Sequence, residues 1–106
     1  MDRPLRSPGG GIHVITTDRG LPTALKLHAR ELSKAPHDLA QDILKLCRLS
    51  AARAQVAQRR ELEERGFSAS VVNAMPLATE AELAAATAAL QPASDDDEPS
   101  SYLRSV

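Results

Sequence analysis

The chain has 106 residues, a formal net charge of −1, 42% hydrophobic residues, one Cys, one Phe, one Tyr and no Trp, which is the scale of a single small domain. Its longest apolar run is far short of the roughly 20 residues that a membrane span needs. The start MDRPLRSPGGG leads into no apolar stretch of the secretory-signal kind, and a lone Cys makes no internal disulfide, which fits a reducing cytoplasm.

Residues 1–10 contain two Pro, two Gly and a Ser and read as a flexible leader. Residues 11–17 (GIHVITT) alternate Ile12, Val14 and Thr16 against His13, Ile15 and Thr17 and are rich in β-branched side chains, which predicts a strand. Asp18-Arg19-Gly20 supplies a turn. Residues 21–28 alternate again, with Leu21, Thr23, Leu25 and Leu27 on one face, so the two runs predict a β-hairpin. Pro22 cannot donate to a ladder and belongs at a strand start or on an edge.

Pro36-His37-Asp38 opens a long helical pattern that runs to Arg65 and stops at Gly66. Leu39, Ile43, Leu46, Cys47, Ser50, Ala54 and Ala57 keep the 3.6-residue period, with Ala40, Leu44 and Ala51 beside them. The stripe is bulky in its first half and mostly Ala in its second, which favours close approach of another helix there. Val71, Val72 and Met75 lie in an irregular stretch and can fold back on the core. Thr79-Glu80-Ala81-Glu82 matches a capping box, predicting a short Ala-rich helix to about Leu90, with Pro92 after it. The chain therefore divides into a leader (1–10), an α+β domain (11–90) and an acidic tail (91–106) whose composition predicts disorder.

With Phe67 and Tyr102 as the only rings, the core has to be built from Leu, Ile, Val and Ala. Such a core is thin. One hairpin and one helix about 45 Å long at 1.5 Å per residue cannot enclose each other, so the expected architecture is an antiparallel hairpin, a long helix and a short C-terminal helix, with the sheet completed edge to edge in a homodimer.

The order of a Gly-rich lead-in (Gly9, Gly10, Gly11), a strand (Ile12 to Thr17), a turn with Gly20, a second strand with alternating Leu (Leu25-Lys26-Leu27) and a long helix from Leu39 to Arg65 resembles the YbaB/EbfC family of bacterial nucleoid-associated proteins, over about residues 9–66. Members of that family carry a long helix and a further strand ahead of the lead-in, where this chain has ten residues. The resemblance implies a dimeric, cytoplasmic protein associated with DNA in the nucleoid. The Ala- and Arg-rich composition resembles that of actinobacterial relatives, some of which are associated with type VII secretion. The Tyr-x-x-x-Asp/Glu signal of secretion substrates is absent, since Val106 stands four positions after Tyr102.

Candidate DNA contacts are Arg19, Lys26 and Arg30 around the hairpin with Arg48, Arg53, Arg59 and Arg60 on the long helix. Phosphate recognition needs positive groups and no catalytic geometry, and a dimer doubles their number. The bland reading is a solvated helix face on which Glu61, Glu63 and Glu64 neutralise their neighbours. No aromatic residue lies in the strands, so base stacking is not expected. His13, His28 and Cys47 lack the local spacing of zinc sites, and Cys47 lies on the apolar stripe, so neither a metal nor another cofactor is expected. No nucleophile motif or phosphate-binding loop is present, and the chain reads as a non-enzyme. The acidic run Asp95 to Glu98 either solubilises the terminus, screens a basic surface within the chain, or binds a basic partner. The alternative to DNA binding is an accessory or protein-interaction module, of the kind associated with type VII secretion systems in the actinobacterial relatives, whose Ala-rich helix recognises a partner helix.

Overall fold

In the computed structural model, which describes residues 4–90, β-branched residues at alternate positions build the centre of a three-stranded antiparallel sheet of order β1-β2-β3. The strands are β1 (Pro4–Arg6), β2 (Ile12–Thr16) and β3 (Pro22–Leu27). The alternation predicted for the second of them holds: Ile12, Val14 and Thr16 are buried while His13 and Ile15 are partly exposed. Pro22 opens β3, where a register irregularity at Ile15/Thr16 accommodates it. The sheet is followed by a 3₁₀ turn (Ala29–Ser33), α1 (Pro36–Glu64), α2 (Ala69–Asn73) and α3 (Glu80–Leu90). The α+β class and the order of hairpin, long helix and short C-terminal helix are as expected.

Two elements differ from the sequence reading. Residues 4–6 are not a flexible leader but a strand, registered against Ile15, Val14 and His13 of β2, with Leu5 packed on the core. The sheet thus reaches back ahead of residue 11 and includes Pro4–Arg6. Residues 69–73 form a short helix capped by Ser68, whose hydroxyl accepts from the Val71 N–H at 3.3 Å. That helix buries Val72, while Val71 and Met75 stay exposed. The predicted acidic tail and Tyr102 lie outside the described residues.

The ends of α1 are set by its sequence. Pro36 occupies the first turn and Asp38 complements the dipole there. At the other end the Gly66 N–H bonds to the Glu63 carbonyl at 3.0 Å and the Phe67 N–H to the Leu62 carbonyl at 3.1 Å, with Gly66 at a φ of +93°. This paired closure needs a residue free of Cβ at the left-handed position. In α3 the predicted capping box is present on both sides: the Glu82 N–H donates to Thr79 Oγ1 at 3.1 Å and the Thr79 N–H to Glu82 Oε1 at 2.8 Å.

Leu46 and Cys47 of the predicted α1 stripe meet Ile12 and Val14 of β2, with Leu5, Leu27, Leu39, Ile43 and Leu90 packed around them. Ser50 continues the stripe and its Oγ lies 2.6 Å from the hydroxyl of the buried Thr16. A second buried set on α1, Leu49, Ala52 and Val56, was not part of the predicted stripe. It turns away from the sheet, on the side where α3 packs antiparallel to α1: Glu80 at the start of α3 meets Arg60, and Leu90 at its end reaches the core around Leu39 and Ile43.

The Gly-rich lead-in is held by the 3₁₀ turn. Arg30 Nη2 donates to the Gly9 carbonyl at 2.6 Å, the His28 N–H donates to the Gly11 carbonyl at 2.8 Å, and the buried Glu31 side chain lies against the Gly11 Cα. A Cβ at Gly11 would stand 2.7 Å from Glu31 Cδ and 2.9 Å from its Cγ. Glu31 pairs in turn with Lys34 at 2.6 Å, and Lys34 with Asp42 at 2.8 Å. Gly11→Ala is therefore expected to expel the Glu31 side chain and cost about 1–3 kcal/mol in chemical denaturation. The double variant Gly11→Ala/Glu31→Ala removes the clash and should recover most of that loss; equal loss in both would show that the carboxylate is not the obstacle.

Candidate nucleic-acid interface

The seven predicted contact residues separate into two groups once their partners are known. Three are used inside the chain. Arg59 donates through Nε and Nη2 to the Leu77 carbonyl and through Nη1 to Asn73 Oδ1 at 2.9 Å, tying α1 to the segment between α2 and α3. Arg60 forms a two-pronged pair with Glu80, both hydrogen bonds at 2.9 Å. Arg30 holds Gly9 and flanks Glu31. These guanidiniums position elements of the domain, and apart from Glu31 beside Arg30 each partner is remote in sequence or carried by the backbone.

Arg19, Lys26, Arg48 and Arg53 have no acidic partner among the described residues. They do not share one face. Lys26 lies on the exposed strand β3 opposite His13. Arg53 borders a cleft of about 620 Å³ between α1 and the β1/β2 end of the sheet, whose lining also includes Asp18 and Glu61. Arg19 and Arg48 alone come together, at an open cleft of about 540 Å³ bounded by the β2–β3 turn, α1 and the start of α3.

Local backbone chemistry makes that convergence. Gly20, at a φ of +86°, lets the β2–β3 turn settle on α1; a Cβ there would stand 3.2 Å from the Cys47 carbonyl oxygen and 3.3 Å from Ala51 Cβ. The close approach carries Arg19 to the α1 face that bears Arg48. Gln55 fixes both walls: its Nε2 donates to the Asp18 carbonyl at 2.8 Å, and its Oε1 accepts from the Ala78 N–H at 2.9 Å. Gln55 was not among the predicted residues. The available signal was a long amide placed beside a stripe of alanines, facing neither the sheet nor open solvent. The single acid in this lining, Glu82, has its Oε1 turned back into the α3 capping box.

Among the described residues no group of three His, Cys, Asp or Glu is arranged to hold a metal ion. His13 pairs in register with Lys26, and His28 caps the 3₁₀ turn by accepting from the Arg30 N–H at 3.1 Å. Burial pushes the Cys47 thiol above its ordinary range, so it stays protonated as part of the core. Lys34 is likewise raised, first by its hydrogen bond to Asp42 and then by that to Glu31.

Comparison with known proteins finds no match to a family model, to a curated protein or to a solved structure. No helix among the described residues is long and apolar enough to cross a membrane.

Proposed function

We propose that the chain is a small, non-enzymatic, nucleoid-associated type of protein that acts as a homodimer in the cytoplasm and binds duplex DNA mainly through phosphates. The observation that carries the DNA reading is that Arg19 and Arg48, from separate elements, line one open cleft with neither paired to an acid among the described residues. Guanidiniums so placed contact phosphate oxygens and release counterions, with no need to read base edges. Lys26 and Arg53 add positive charge on other faces. The three-stranded sheet followed by a long helix is in keeping with the resemblance to the YbaB/EbfC family, and β1 stands where that family has a strand ahead of its Gly-rich lead-in.

The homodimer rests on a different observation. Val14 and Leu25 face each other across β2 and β3, yet Val14 is 0% exposed and Leu25 is 47% exposed. Helix α1 covers β2 and leaves β3 bare except at Leu27, with Leu25 and the preceding Leu21 open to solvent. A second copy of the chain supplies the missing cover. A different protein seated on the same bare strand would be a second reading, distinct from the contact through the Ala-rich helix that the sequence suggests.

The test is a fluorescence anisotropy titration of a short duplex at low salt. Wild type is expected to bind, and Arg19→Ala/Arg48→Ala to lose about tenfold or more in affinity, since each lost phosphate contact removes part of the electrostatic term. Equal binding by the two proteins would remove the cleft from the mechanism. Arg59 and Arg60 are unsuitable for this test because their loss loosens α1 from the segment leading into α3.

A further inference from the structure

We infer that the face of the sheet turned away from α1 carries a site for a soluble phosphomonoester, whose head group is held by Arg6, His13 and Lys26 and whose carbon chain lies on Pro4, Ile15 and Ala24. The inference is independent of the DNA reading, because none of these residues lines the Arg19/Arg48 cleft.

Strand register assembles the site. Arg6 stands directly opposite His13, and His13 directly opposite Lys26, so each strand gives one residue to a single row across the sheet. Alternation fixes the face: Ile12 and Val14 are buried against α1, so His13 and its cross-strand neighbours project from the other side. Neighbouring strands lie about 4.8 Å apart, which sets the backbones of Arg6 and Lys26 about 10 Å apart with the shorter imidazole between them. An anion seated over His13 is flanked by both long side chains. A guanidinium fork, an imidazole N–H and an ammonium then converge on its oxygens. None of the three is paired to an acid among the described residues. Glu31, which lies against Gly11 two positions before His13, is taken up by Lys34.

The class of ligand follows from what adjoins the row. Two positions along each strand, about 6.6 Å away, stand Pro4, Ile15 and Ala24, registered in the same way. That row is uncharged and at least partly exposed throughout. Positive charge is thus confined to one line, with an apolar strip beside it. A duplex backbone repeats its charge where this face has none. A monoester, with a doubly charged head and a short carbon chain, matches both rows. Ile15 is only partly exposed, and Pro4 and Ala24 are small, so no side chain projects far enough to enter a bilayer, which favours a soluble ester over a lipid head group.

The experiment titrates the full chain with n-butyl phosphate, with inorganic phosphate and with sodium chloride at matched ionic strength, followed by side-chain nitrogen-15 and methyl NMR. Butyl phosphate should move the signals of Arg6, His13, Lys26 and the Ile15 methyl groups to saturation. It should bind about threefold or more tightly than inorganic phosphate, because its chain covers apolar surface. Arg6→Gln/Lys26→Gln changes two exposed positions; it should keep the wild-type circular dichroism and lose about tenfold or more in affinity. Arg19→Ala/Arg48→Ala should bind butyl phosphate as wild type does. Shifts that sodium chloride reproduces, shifts centred on Arg19 and Arg48, or equal affinity in the Arg6/Lys26 variant would overturn the site. Sedimentation with vesicles of phosphatidylcholine and phosphatidate, while butyl phosphate leaves the signals unmoved, would overturn the assignment to a soluble ester.

Discussion

Replacing Leu46 by Ala is expected to lower the unfolding free energy by about 2–5 kcal/mol, measured by urea denaturation followed by helical circular dichroism. Leu46 is 0% exposed and sits where the middle of α1 meets Ile12 and Val14 of the central strand. No aromatic residue belongs to that cluster, so the aliphatic side chains supply the contact between helix and sheet by themselves. Truncation removes three carbons from the middle of the contact between the two layers, and the long straight helix cannot bend inward to refill the space. Against a total of roughly 5–10 kcal/mol for a domain of this size, the variant should be largely destabilised. Leu44→Ala, two residues away and 44% exposed, is expected to cost less than about 1 kcal/mol. A similar loss in both variants would mean that the core has been located on the wrong face of α1.

Leu25→Lys is expected to convert a dimer of twice the 11.3 kDa chain mass into a monomer, read by light scattering at micromolar concentration. Leu25 is half exposed while its cross-strand neighbour Val14 is sealed. Placing an ammonium there leaves the protomer's own core intact but requires a charge to be desolvated wherever a second copy covers β3, which costs several kcal/mol. Pro22 and Lys26 already mark β3 as a strand guarded against indiscriminate edge pairing, so the contact is expected through the bare apolar face and not through the ladder alone. Wild type at a single chain mass, or a variant that remains at double mass, would contradict this assignment.

The elements legible in the sequence were those with strong local signals. Alternation of Ile12, Val14 and Thr16 marked β2; Pro36 and Gly66 bracketed α1; and the reciprocal Thr79 and Glu82 pair marked the start of α3. Strand β1 was not legible because three residues with one apolar side chain, Leu5, carry no period. The second buried face of α1 escaped for a related reason. Leu49, Ala52 and Val56 are covered from the side of α3, a helix whose alanines give no amphipathic pattern to announce which side it packs.

The candidate site was legible as a list of positive residues but not as a surface. Glu61, Glu63 and Glu64 were the expected neutralisers of Arg59 and Arg60; the actual partners are Asn73, the Leu77 carbonyl and Glu80, while Glu61 pairs with Arg65. Backbone carbonyls and remote side chains leave no mark in sequence spacing. Likewise, Gly20 reads as a turn residue, and only the packed structure adds that its missing Cβ lets Arg19 approach Arg48.

The central claim, that paired guanidiniums on a shared cleft bind DNA by displacing counterions, is tested most directly by measuring duplex affinity across a range of salt concentrations for wild type and Arg19→Ala/Arg48→Ala. The expected result is a steep linear fall of the logarithm of the binding constant with the logarithm of salt, and a slope shallower by about two for each protomer that loses its pair of contacts. Binding that is indifferent to salt, or identical slopes for the two proteins, would contradict it.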